Sequence, residues 1–143
     1  MKQVIVAFLS VFTLLLNAQS VHKRDQSAIM SLLSLQVKCW NTGNIECYME
    51  GYWESDSLKF ITKSEITTGW NATLTRYNEH YPDKNSMGVL VFEEIDMLQM
   101  NLKTIIVMGK WTLQTTTQTN GGRFTLICRK ISGKWKIIVD HTS

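Results

Sequence analysis

Between positions 29 and 40 the apolar side chains Ile29, Leu32, Leu33, Val37 and Trp40 return every three or four residues, with Gln36 on the same stripe. That period is helical. Asp25 or Ser27 supplies an N-cap, and Gly43 stands just past the last turn. Asn44 then opens a short second helix over 45–50, which Gly51 ends. From Ser57 the pattern changes to β-rich pieces at 58–61 and 65–67, after which Trp70, Leu74, Tyr77 and Tyr81 form one stripe of a third helix. Pro82 closes it, because a proline disfavours helical geometry in the residue before it. The remainder reads as strands at 87–97, 103–115, 123–131 and 134–142. Asn120-Gly121-Gly122 and Ser132-Gly133 supply the turn residues that antiparallel hairpins need. Helices followed by a long antiparallel meander predict an α+β fold, with the helices on one face of a curved sheet.

The amino terminus departs from both periods. Lys2, an apolar run from Val4 to Leu16 and then Asn17-Ala18 have the order of a secretory signal, so residues 1–18 are read as a signal peptide and 19–143 as a single domain. The apolar run is shorter than the roughly 20 residues that span a bilayer, so no stable membrane span is expected after cleavage. The expected location is secreted or periplasmic. Removing residues 1–18 takes away Lys2 and no acid, leaving 14 basic against 12 acidic side chains. Such a balance carries no footprint for a nucleic-acid partner. Cys39, Cys47 and Cys128 match no metal-ligand spacing, and no metal or cofactor is expected. They are read first as buried thiols, with a Cys39–Cys47 bridge as the alternative.

Several segments together resemble a known superfamily: Trp40-Asn41 with Gly43-Asn44, Gly51-Tyr52-Trp53, Gly69-Trp70 followed by Thr73-Leu74 and Arg76-Tyr77, Tyr81-Pro82-Asp83, and the closing run from Gly133-Lys134-Trp135 to Asp140-His141-Thr142-Ser143. In this order they are similar to a branch of the nuclear transport factor 2-like superfamily, close to the SnoaL-like, ketosteroid isomerase-like and calmodulin-kinase association-domain proteins. The resemblance implies a cone, in which a bent antiparallel sheet wraps around helices and leaves a cavity, and it implies a homodimer through the outer sheet surface. It does not imply one reaction, because the superfamily mixes isomerases, cyclases, dehydratases and hydrolases with binding and assembly domains.

In such a cone the expected ligand-binding lining is Trp53, Trp70, Tyr77, Trp111 and Phe124, with Asp140 among the polar groups. A mostly apolar concavity with a few converging polar groups suits a small apolar or aromatic ligand. For proton transfer the candidates are Asp56 and His141, since an unperturbed imidazole titrates near pH ~6.5. Regular alternation along 134–142 puts Trp135, Ile137, Val139 and His141 on one face and Lys136, Ile138 and Asp140 on the other. The isomerase-type tyrosine of the first helix has no counterpart, since no tyrosine precedes Tyr48. The expected function is an exported small-molecule-binding domain. A cofactor-free acid/base enzyme and an oligomeric assembly module are the alternatives.

Overall fold

The computed structural model describes residues 20–143, so the export segment read at 1–18 lies outside the described residues. Helix α1 (Lys23–Asn41) carries the long apolar stripe and leads into α2 (Ile45–Met49). Two short strands, β1 (Lys59–Ile61) and β2 (Ile66–Thr68), precede α3 (Trp70–His80) and the single turn α4 (Lys84–Met87). The meander is β3 (Val89–Asn101), β4 (Thr104–Gln114), β5 (Thr119–Ile131) and β6 (Lys134–Thr142). The six strands form one sheet in the order β2-β1-β6-β5-β4-β3, in which β1 runs parallel to β6 and every other pairing is antiparallel. The helices cover one face, where Ile29, Leu33, Met49, Leu58, Ile105, Val107 and Ile137 make a continuous buried core.

Four local expectations are corrected. Asp25 is not a cap: α1 starts at Lys23 behind His22, and the Asp25 carboxylate instead accepts from Lys130 Nζ at 2.7 Å and from Trp135 Nε1 at 3.0 Å. These charge-assisted bonds, the one from Lys130 foremost, hold its pKa below the usual carboxylate range and tie the start of α1 to the far end of the meander. Met87 ends α4 rather than opening a strand. Asn120-Gly121-Gly122 lies inside β5, and the hairpin turns instead at Thr115–Gln118, closed by the Thr115 amide on the Gln118 carbonyl. The two glycines are needed there for close approach, because a Cβ on Gly121 would stand 2.9 Å from the Trp111 carbonyl oxygen and one on Gly122 would overlap the backbone of Ser143. The Ser132-Gly133 turn does form, with φ of 48° and 80°, the paired positive values of a type I′ hairpin.

The fourth correction concerns the cysteines. Cys39 and Cys47 are joined as a disulfide across the α1–α2 corner, with Cα atoms 5.5 Å apart, and Cys128 alone is a buried free thiol. The bridge closes a loop of eight residues across that corner. On chain-entropy grounds, Cys47→Ser should cost about 2.5 kcal/mol. In urea the variant should unfold at lower denaturant with an unchanged slope, and reductant should then make no further difference to it. A midpoint equal to that of the oxidised wild type would show that the corner holds its angle without the bond.

Candidate functional site

The concave side of the sheet and the helices enclose a cavity of about 100 Å³. Each wall is positioned by a local device. From α1 come Gln36 and Trp40; the Trp40 indole donates to the Met87 carbonyl at 2.9 Å and the Gln36 amide to the Tyr48 carbonyl at 3.2 Å, so both side chains are held buried without losing a hydrogen bond. Tyr48 arrives on α2. Tyr52 follows in a segment pinned to β6, where Ile137 N donates to the Gly51 carbonyl and Trp53 N to the Ile137 carbonyl. Tyr77 comes from the stripe of α3, Tyr81 from the residue just past its end, and Trp111 and Phe124 from β4 and β5. The Phe124 ring has room because the facing residue on β4 is Gly109, whose Cβ would stand 2.5 Å from the ring.

Asp140 is the one carboxylate on this wall, and a bulge puts it there. Along β5 and β6 the register runs Ile127 with Val139 and then Cys128 with Ile137, so Ile138 is an extra residue on β6. One extra residue exchanges the two faces of everything that follows it. Trp135 and Ile137 point inward before the bulge, whereas Asp140 and Thr142 point inward after it. The alternation expected from sequence is therefore corrected at its last positions: His141 is exposed, opposite the cavity, and pairs with Ile61 and Thr125 on the outer side. Asp56 is corrected as well, since it sits exposed in the loop before β1 and does not reach the cavity.

Of the other residues singled out from sequence, Tyr77, Trp111, Phe124 and Asp140 meet on the cavity. Trp53 and Trp70 do not line it. Trp53 is half-buried beside β6, and Trp70 is half-buried against the core with its indole donating to the Met49 carbonyl at 3.0 Å. Arg76 pairs with Glu65, its guanidinium lying over the Phe60 ring. Sequence reasoning missed Trp40, Tyr48, Tyr52, Phe60, Tyr81 and Phe92. The sequence signal for Tyr52 is its place beside Trp53 in the dipeptide Tyr52-Trp53.

The polar centre of the cavity is a tyrosine cluster around Asp140. Tyr52 Oη donates to Asp140 Oδ2 at 2.6 Å, and the Tyr48 and Tyr77 hydroxyls lie 3.5 and 3.4 Å from the same phenol oxygen. The second carboxylate oxygen, Asp140 Oδ1, is buried with no hydrogen-bond partner among the described residues, and so is Trp111 Nε1. Burial pushes the Asp140 pKa up to about 6, against the opposing effect of the Tyr52 hydrogen bond. Burial, and then the Asp140 charge, push the Tyr48 and Tyr52 phenols well above their ordinary range; for Tyr77 burial is followed by Tyr48 and then Asp140. Chemically this is an aromatic chamber with one buried acid whose pKa is raised and phenols that stay protonated.

The architecture is that of a cone with a bent, unclosed sheet around helices. A solved protein of unknown function from Shewanella oneidensis, described as NTF-2 like, is 37% identical over 83% of this chain and 98% of its own, with a TM-score of 0.80. The chain therefore belongs to the nuclear transport factor 2-like family. An NTF2-like protein of unknown function from Pseudomonas putida (16% identity, 85% and 87% covered, TM-score 0.69) and a cystatin-like fold protein from Nostoc punctiforme (14%, 87% and 93%, 0.70) share the fold. No protein-family model and no curated protein sequence matches the chain.

Proposed function

We propose that the chain is an exported small-molecule-binding domain that works as a homodimer and takes a ligand in the Asp140 cavity. The observation that carries this reading is Asp140 Oδ1, a carboxylate oxygen buried in an aromatic chamber with no protein donor. Leaving a buried charged acceptor unpaired costs several kcal/mol unless something fills the position. The Cys39–Cys47 bridge supports the export reading, because disulfides persist outside reducing compartments. For the dimer, the support is an apolar row across the outer sheet face, Leu98, Ile106, Ile127 and Val139, four cross-strand neighbours on β3 to β6.

The test is a thermal-shift screen of residues 19–143 against single-ring compounds. A ligand present at 100 times its Kd should stabilise the fold by about 2.7 kcal/mol. Trp111→Ala, in the cavity wall, should abolish the shift, while His141→Ala, on the outer face, should leave it intact. If no compound moves the melt, or if the two variants respond alike, the cavity is not the binding site. A second reading is favoured by the Asp140 pKa of about 6: proton transfer between a bound substrate and Asp140, with Tyr52 holding the acid in place. Turnover of a screening hit that persists in Asp140→Asn would remove that acid from the chemistry.

A further inference from the structure

We propose that the ligand of this cavity is a compact organic cation, an amine or quaternary ammonium no larger than a single small ring, seated with its charge against Asp140 Oδ1 and its carbons against the aromatic walls. The inference rests on the reading of the cavity as a binding site and adds the chemical class of the occupant.

Three features of the wall select that class. The first is charge. Among the described residues Asp140 is the only carboxylate on the lining, and no lysine, arginine or histidine accompanies it. None of the ion pairs among the described residues involves Asp140, so its only protein donor is the Tyr52 hydroxyl. An anionic ligand would meet a carboxylate with no cationic side chain on the lining to offset the repulsion. A neutral hydroxyl would satisfy Oδ1 geometrically but leave a buried net charge uncompensated. A cation completes the pair in a low-dielectric chamber, where that attraction is strongest.

The second feature is the nature of the apolar surface. Nine of the sixteen lining residues are aromatic, including Trp40, Tyr48, Tyr77, Trp111 and Phe124. Ring faces carry negative charge density, so a cation within about 6 Å of a ring centroid is attracted, and more strongly when both are desolvated. Aliphatic walls would hold a neutral hydrocarbon as well, whereas a box of indoles and phenols around one carboxylate discriminates for positive charge. The third feature is size. A cavity of about 100 Å³ is smaller than the engineered ~150 Å³ cavity known to take up benzene, so the part of a ligand seated against Asp140 is compact.

The raised pKa of Asp140 is what a carboxylate without its counterion shows, and it makes the binding pH-dependent. The titratable groups that face Asp140 are Tyr48 and Tyr52 beside α2, Tyr77 on α3 and the Cys128 thiol on β5, all shifted upward and neutral below pH ~8. Among the groups that face one another in the cavity, titration between about pH 5 and pH 7.5 therefore belongs to Asp140. Cation affinity should fall about tenfold from pH 7.5 to pH 5, the fraction of Asp140 that is ionised falling by the same factor.

Calorimetric titration of residues 19–143 with choline, tetramethylammonium and the neutral carbon isostere of choline, in which a tert-butyl group replaces the trimethylammonium, tests the assignment at both pH values. The expected result is that at least one cation binds at pH ~7.5, binds about tenfold more weakly at pH ~5, and binds at least tenfold better than the isostere. Asp140→Asn should abolish both the pH dependence and the preference for charge while still admitting the isostere. If the isostere binds as well as the cations, or if Asp140→Asn keeps the preference for cations, the cation assignment is overturned and the cavity reading survives. If neither cation nor isostere binds the wild type, the cation assignment falls. The screen of single-ring compounds then decides separately whether the cavity binds anything.

Discussion

Gly88→Ala should destabilise the protein by about 3 kcal/mol or more and lower its Tm by on the order of 10 °C. Gly88 joins α4 to β3 with φ 62° and ψ −157°, a region that L residues with a Cβ essentially do not occupy. A Cβ there would also stand 2.5 Å from the backbone oxygen of Gln114 and 3.0 Å from Thr115 Cγ2. Relief would require separating the start of β3 from the end of β4, where Val89 pairs with Gln114. The same stretch anchors α1 to the sheet: the Met87 carbonyl accepts from Trp40 Nε1, and Asn41 exchanges two hydrogen bonds with the Leu90 backbone at 2.7 and 3.0 Å. The strain therefore propagates to the cavity, which both Trp40 and Leu90 line. Gly133→Ala is the matched control. It too has a positive φ, 80°, but nothing lies within 4 Å of its Cβ, so only the backbone term of about 1 kcal/mol remains. Equal losses in the two variants, measured by urea unfolding, would show that the contact with Gln114 carries no weight.

The contrast between these two glycines also explains which parts of the molecule were legible in its sequence. Ser132-Gly133 is a turn for local reasons, and local reasons are written in the dipeptide. Gly121 and Gly122 carry an equally strong turn signal, yet they are strand residues because the Trp111 carbonyl and Ser143 pass against them, contacts made with residues at least ten positions or twenty positions away. The helical stripes of α1 and α3 were readable because a period of 3.6 survives any tertiary arrangement. The inward face of β6 was not, because the extra residue at Ile138 exists only in relation to the pairing of β5. That single bulge decides whether Asp140 or His141 enters the cavity, so the same strand yields a correct element and a reversed assignment of His141. Tyr52 and Trp53 repeat the lesson in a segment that is not a strand at all, where one bridge to Ile137 chooses which aromatic faces inward. The bond between Cys39 and Cys47 likewise depends on the α1–α2 corner angle, which spacing alone leaves undetermined.

Asp140→Asn should gain stability relative to the wild type as pH rises, by about 2.5 kcal/mol between pH ~4 and pH ~7.5. The sign follows from the folded pKa of about 6, raised above the ordinary 3.8 of an exposed aspartate. A raised folded pKa means that the native state binds the proton more tightly than the unfolded chain does. The resulting stabilisation is fully present below pH ~4, and it is lost as pH climbs through 6, where the buried carboxyl must ionise without a counterion. An asparagine pays none of this. Its amide oxygen can still accept from Tyr52, and any fixed cost of its unpaired amide group is the same at every pH. Asp25 works in the opposite sense: its lowered pKa stabilises the fold above pH ~4 and the effect fades as pH falls. Because Asp25 is unchanged in the variant, it cancels when the two urea midpoints are subtracted at each pH. A difference that stays flat from pH ~4 to pH ~7.5 would mean that Asp140 is solvated or already paired in the native state. A slope that shrinks when a compact cation is added would mean that the cation supplies the missing charge, since it binds the ionised form and stabilises the wild type where the wild type is weakest.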